Sequence, residues 1–131
     1  MTPDSSPFSY LILRIVPSVE RGERINVGVV LFCRQLGFLR ARVALDEARV
    51  LALAPELPVA EVGRHLAALA RVAEGDPSAG PIAVLEPSER FGWLAAPSST
   101  IIQPSEVHTG LCRDPQRMLD SLFERLVVGE E

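Results

Sequence analysis

The feature that most constrains the fold is an apolar run at residues 25–33, which follows a charged loop. The run is rich in Val, Ile and Leu, and both of its alternating faces are largely apolar. Because the side chains of a strand point alternately to its two faces, this pattern predicts a strand that is buried on both sides. We therefore expect residues 25–33 to form the central strand of a sheet.

Length and composition predict a single domain. At 131 residues and 47% hydrophobic content, the chain can bury a core of its own. We expect a loose leader at residues 1–7, one domain at 8–128 and a short tail at 129–131. No apolar run reaches the roughly 18 residues of a membrane span, and the N-terminus lacks the basic start of a signal peptide. The sequence thus predicts a cytoplasmic protein with no membrane association.

Charge and cysteine content exclude several function classes. All 13 basic residues are arginine, and the net charge is -4. Net negative charge opposes generic nucleic-acid binding, because duplex affinity arises mostly from cationic contacts with phosphates. Cys33 and Cys112 are too few and too far apart to predict a disulfide framework or a zinc site. We expect reduced thiols, no metal and no organic cofactor.

A hairpin follows the central strand. Residues 35–37 read as a three-residue loop in which Gly37 takes a left-handed conformation, and residues 38–43 return as a strand. This register pairs Arg34 with Phe38. The outer face of the sheet would then carry Phe32, Arg40 and Arg42 together. These three residues form a predicted surface for a protein partner, and the alternative is a solvated edge strand protected by its charges.

One charged residue lies inside an apolar strand. Residues 8–16 read as the first strand, and Arg14 interrupts one of its faces. Removing an unpaired charge from water costs several kcal/mol, so Arg14 requires a partner. Two interpretations follow: an internal ion pair with Glu20 or Glu23, or an arginine that faces a ligand.

The remaining segments complete the fold class. Helical periodicity and capping residues predict helices at 46–53, at 59–73 and from residue 114 onward, whereas 98–103 and 106–111 read as strands. This order is typical of an α+β domain. We expect a mostly antiparallel sheet of four to five strands with about three helices packed on one face.

Several segments resemble a known family. They are residues 14–17 (RIVP), 21–32 (RGERINVGVVLF), 103–105 (QPS) and 107–110 (VHTG). In these segments the chain is similar to the bacterial family named domain of unknown function 3037 (DUF3037). The resemblance implies no established activity. Members of this family are often encoded beside a HipA-type kinase, which implies a partner or regulatory role.

Eight residues form a candidate ligand site. Arginine offers a planar fork of donors to a phosphate or carboxylate, and amide, hydroxyl and imidazole groups add directed hydrogen bonds. Glu23 and His108 would also suit a pair that exchanges protons. The site comprises Arg14, Arg21, Glu23, Arg24, Asn26, Gln103, His108 and Thr109. The alternative for residues 20–24, and the favoured one, is a structural loop held by salt bridges.

Two functions remain open from the sequence. The favoured one is a non-catalytic binding or accessory protein that contacts a protein partner, with a HipA-type kinase as the candidate. The alternative is a small enzyme or sensor that binds a phosphorylated or nucleotide ligand through the arginine-rich loop. The second function requires the candidate residues to converge in one place. The oligomeric state is left open.

Overall fold

A computed structural model describes residues 5–18, 20–97 and 101–129, and within them the chain has the predicted α+β fold. The strands are β1 (Ser6–Ser18), β2 (Glu23–Cys33), β3 (Phe38–Val43), β4 (Ile102–Pro104) and β5 (His108–Cys112). The helices are α1 (Glu47–Leu53), α2 (Val59–Glu74), α3 (Pro87–Ala95) and α4 (Pro115–Phe123), which continues as a π-helical segment, Glu124–Val128. Short 3-10 turns at Pro77–Ala79 and Pro81–Val84 connect α2 to α3.

The five described strands form one antiparallel sheet. Its order is β3-β2-β1-β4, and β5 also pairs with β1. β4 and β5 therefore lie end to end along one edge of β1, while β2 occupies the other edge. β1 begins at Ser6, inside the predicted leader, because Ser6 pairs with Cys112. The predicted strand at 98–103 is observed from Ile102, because Ile101 forms a bend, and residues 98–100 lie outside the described part.

Both faces of the sheet are covered. On the first, which we call the α2 face, strand residues such as Leu11 and Val30 pack against α1, α2 and α3. On the opposite face, which we call the α4 face, Val29 and Leu31 pack against α4 and the π-helical segment. The sequence predicted about three helices on one face. The structure has three helices on the α2 face and α4 on the opposite face, so both faces of β2 are covered and apolar.

A β-bulge in β2 changes which residues share a face. Leu13 pairs with Gly28 and Arg14 pairs with Asn26, so Val27 is an extra residue in β2. Val27 and Val30 consequently both contribute to the core on the α2 face. Strict alternation from one end of the strand would place them on opposite faces.

The hairpin between β2 and β3 has a loop of four residues, 34–37, rather than three. Cys33 pairs with Phe38, and the Gly37 N–H donates to the Arg34 carbonyl (3.1 Å). Gly37 has φ +62°, so its predicted left-handed conformation is confirmed. The predicted pairing of Arg34 with Phe38 is wrong by one residue, because local sequence did not fix the loop length.

This register separates the three residues of the predicted partner surface. Phe32 pairs with Leu39 on the α2 face, where its ring stacks on Phe91 at 5.4 Å between centroids. Arg40 and Arg42 pair with residues of the α4 face instead. Phe32, Arg40 and Arg42 therefore do not share one face of the sheet.

The helix ends follow their capping residues. The Asp46 side chain accepts the N–H of Arg49 at the start of α1, and Asp114 accepts two N–H groups at the start of α4. Gly75 ends α2 with φ +77°. Across the described residues, none of these helices has the length and apolar character needed to cross a membrane.

Candidate functional site

The central segment of β1 is flanked by irregular pairing on both sides. On one side lies the bulge in β2 described above. On the other side, Tyr10 pairs with His108 and Leu13 pairs with Pro104. Residues 104–108 therefore contain one residue more than the segment of β1 that they pair with. Bulges re-aim side chains and are common beside functional sites. Both irregularities lie beside Arg14 or just before it in β1.

Ser105 holds the break between β4 and β5 in place. The Ile12 N–H donates to Ser105 Oγ (2.8 Å), and the Ser105 N–H donates to the Ile12 carbonyl (2.8 Å). The Ser105 hydroxyl donates in turn to the Glu106 carbonyl (2.8 Å). Ser105 is 4% exposed, so its hydroxyl replaces a strand partner in a place with little access to water.

Arg14 lies on the α4 face, because Leu13 and Ile15 on either side of it belong to the core of the α2 face. Its cross-strand partners are Asn26 on β2 and Gln103 on β4. Directly opposed residues of a sheet have Cβ atoms about 5 Å apart. The sheet register therefore places two amide side chains on either side of the guanidinium.

Arg14 is half-buried, and its Nε atom is buried with no hydrogen-bond partner among the described residues. Burial lowers the pKa of Arg14 and the positive charge of Arg24 lowers it further, whereas Glu106 raises it. An arginine keeps its charge despite such a shift. A buried donor without an acceptor is unfavourable, so this guanidinium is suited to an incoming anion.

Glu106 and His108 extend the group towards β5. Glu106 is exposed, and its pKa is lowered first by a hydrogen bond from its own backbone and then by His108, with Arg14 and Arg24 contributing. The His108 ring lies 5.1 Å from the ring of Tyr10, its strand partner. We call the set Arg14, Arg24, Asn26, Gln103, Glu106 and His108 the Arg14 cluster.

The Asn26 amide also links the cluster to the last helix. Asn26 Nδ2 donates to the Leu126 carbonyl in the π-helical segment (2.9 Å). This contact joins residues 100 positions apart in the chain and anchors the end of the segment over β2. Asn26 therefore has a structural role in addition to its place beside Arg14 in the sheet.

Five of the eight predicted ligand residues belong to the Arg14 cluster, and three do not. Arg21 and Glu23 form an ion pair in the turn after β1 (2.8 Å), with the Arg21 side chain 70% exposed. His108 pairs with Tyr10, eight residues before Ser18 and that turn, a separation of about 26 Å along a strand. The structure does not bring Glu23 and His108 together as a proton-exchanging pair.

Thr109 lies on the other side of β5. It pairs with Ser9 and so points away from His108. With Phe32 and Arg34 it lines an open cavity of about 330 Å³ at the end of the sheet. The Arg34 guanidinium lies 5.6 Å from the centre of the Phe32 ring.

Arg42 is engaged within the fold. Its guanidinium lies 4.2 Å from the centre of the Phe123 ring and forms a 3.1 Å ion pair with Asp120 on α4. This contact fixes α4 against the edge strand β3. Arg40, two residues earlier on β3, is exposed. The sequence predicted that Arg40 and Arg42 belong to a partner surface, because it does not show that α4 packs on this face.

Glu106 was missed from the sequence. The expected ion-pair partners of Arg14 were Glu20 and Glu23, which are close to it along the chain. The acidic group that affects Arg14 is Glu106, 92 positions away. The available signal was its place two residues before His108, at the start of a predicted strand. Among the described residues, no three His, Cys, Asp or Glu side chains are grouped around a possible metal position.

The fold and the Arg14 cluster together define a small α+β protein with a cationic group at the centre of one sheet face. The chain belongs to the DUF3037 family of proteins of unknown function, whose profile matches residues 10–127. No curated protein and no solved structure matches it. The resemblance expected from the sequence is confirmed, and the match includes the whole Arg14 cluster.

Proposed function

We propose that this protein is a non-catalytic binding module that recognises an acidic segment of a partner protein through the Arg14 cluster. The observation that carries the proposal is the buried Nε of Arg14, which has no hydrogen-bond partner among the described residues. An acidic side chain that binds at Arg14, with a local shift of the side chains that cover the Nε atom, would supply that acceptor and form a charge-assisted hydrogen bond.

The exposure of the cluster supports a macromolecular partner. Arg24 and Glu106 are both exposed and Arg14 is half-buried, so the outer part of the cluster is accessible from solvent. Small-molecule sites usually enclose most of their ligand in a cleft. An accessible group on a sheet face is better suited to a side chain presented by another protein.

The same geometry favours binding over proton transfer. The Glu106 carboxylate has a lowered pKa, which makes it a weaker base than an ordinary glutamate. The predicted alternative base, Glu23, is held in its ion pair with Arg21. Glu106 therefore lacks the raised pKa that a general acid or base near neutral pH requires.

The test is binding of a fluorescent hexaglutamate peptide, measured by anisotropy beside the uncharged hexaglutamine peptide. The protein carries a net charge of -4, so long-range attraction does not favour the acidic peptide and any preference must be local. We expect Arg14→Gln to weaken hexaglutamate binding by roughly tenfold or more, since hydrogen bonds to charged groups contribute about 1.5 to 3 kcal/mol.

Arg40→Gln is the matched control, because Arg40 is an exposed arginine on the same sheet and its loss changes the net charge equally. It should bind like the wild type. Equal loss in both variants, or equal binding of the two peptides, would refute the proposal.

A HipA-type kinase is our proposed partner, and this step is supported by the family resemblance alone. Co-expression followed by gel filtration tests it, with a stable complex expected for the wild type and a weakened one for Arg14→Gln. We also retain the cytoplasm as the proposed location, with which the free Cys33 and Cys112 thiols are consistent.

A further inference from the structure

The Arg14 cluster contains charges of both signs. Arg14 and Arg24 each directly precede a residue of the strand pair Ile15–Ile25, and Glu106 follows Ser105, which is bonded to Ile12. This placement agrees with the electrostatic effect of Arg24 on Arg14 and of both arginines on Glu106. Arg14 and Arg24 carry two positive charges and Glu106 one negative charge, which together leave a single net positive charge. A site built only to attract anions would not include Glu106.

We propose that the Arg14 cluster takes a single carboxylate in preference to a doubly charged phosphate, and that Glu106 sets this preference. This inference rests on the proposed function, because it names the acidic group that the binding module recognises. The ligand is thus an unmodified glutamate or aspartate side chain of a partner protein, and a phosphorylated side chain is disfavoured.

The preference follows from how two opposing energies depend on ligand charge. Attraction to the cluster grows in proportion to the ligand charge, while the cost of removing the ligand from water grows with the square of that charge. With one net positive charge in the cluster, a dianion gains twice the attraction of a carboxylate but has about four times the desolvation cost. Removing the charge of Glu106 doubles the attraction for both ligands and therefore helps the dianion most.

Position makes Glu106 the residue that controls this balance. It directly follows Ser105, whose buried hydrogen bonds with Ile12 fix the chain at this point. Its carboxylate is exposed and interacts with His108, Arg14 and Arg24, so an acidic ligand at Arg14 would meet it. Glu106 is thus fixed by its backbone and available to repel excess negative charge.

The experiment compares two fluorescent peptides that differ at one position, one carrying a glutamate and the other a phosphoserine. Affinities are measured by anisotropy at about 0.1 M salt for the wild type, Glu106→Gln and Glu61→Gln. Glu61 is an exposed carboxylate on α2, so Glu61→Gln makes the same change in net charge on the other side of the sheet. Thermal unfolding of each variant confirms that it is folded.

We expect the wild type and Glu61→Gln to prefer the glutamate peptide. In Glu106→Gln the ratio of the two affinities should shift towards the phosphoserine peptide by roughly three- to tenfold. A wild type that binds the phosphoserine peptide more tightly, or equal shifts in both variants, would overturn the inference and leave the proposed function intact. Binding of neither peptide would overturn both.

Discussion

Replacing Ser105 by alanine tests whether a single hydroxyl holds the irregular edge of the sheet in place. The substitution removes the acceptor of the Ile12 N–H, at 2.8 Å, in a region where Ile12 is 7% exposed. Leaving a buried N–H without a partner costs about 1 to 3 kcal/mol. The bond from the hydroxyl to the Glu106 carbonyl is also lost, but that exposed residue can exchange it for water. We therefore expect a destabilisation of about 1 to 3 kcal/mol.

The assay is equilibrium unfolding in urea, with hydrogen exchange at the Ile12 amide as a local readout. The midpoint should fall without a change in the dependence on urea, and exchange at Ile12 should accelerate more than exchange in α2. Ser121→Ala is the control, because Ser121 is exposed on α4 and its loss should change stability by no more than about 0.5 kcal/mol. Equal stabilities for the two variants would refute the role assigned to Ser105.

Three further predictions concern other parts of the molecule. Gly28→Ala should destabilise the fold by about 1 to 2 kcal/mol, because the added Cβ would lie 2.8 Å from a side-chain carbon of Val43 on β3. In Gly92→Ala the added Cβ meets nothing within 4 Å, so this variant should stabilise α3. Urea unfolding that finds Gly28→Ala more stable than Gly92→Ala would contradict this prediction. Cys33 and Cys112 are 0% and 6% exposed, and burial raises the pKa of Cys112. Neither thiol should therefore react with Ellman's reagent at pH 7 until the protein unfolds. Rapid labelling of the native protein would show that the two thiols are not buried. The pKa of Glu106 is lowered from its ordinary value of 4.5, so its contribution to stability is complete above about pH 4.5 and is lost as the pH falls below it; urea unfolding between pH 3 and 6 should show a smaller acid loss in Glu106→Gln than in Glu61→Gln.

The features that the sequence predicted correctly are local ones. Asp46 and Asp114 cap their helices, and Gly37 has the expected positive φ, because each effect acts within about four residues. The central strand at residues 25–33 was also identified, since its apolar composition reflects burial on both faces. Such signals need no knowledge of the rest of the chain.

The features that the sequence did not predict depend on pairing between distant segments. The hairpin register was wrong because Gly37 suits loops of three and of four residues. The partner of Arg14 was assigned to nearby glutamates, although Glu106 is brought to it by the pairing of β1 with β4 and β5. Five of the eight candidate residues belong to the Arg14 cluster because the sheet register aligns them. The alternation of side chains within one strand does not predict how neighbouring strands are aligned.

Binding of an acidic partner should give the unpartnered Nε–H of Arg14 an acceptor. NMR of the arginine Nε–H groups measures this directly during a titration with hexaglutamate. We expect the Arg14 signal to shift and to saturate with the binding curve, while the signal of exposed Arg40 stays in place. An Arg14 signal that remains unchanged while other signals report saturable binding would contradict this expectation.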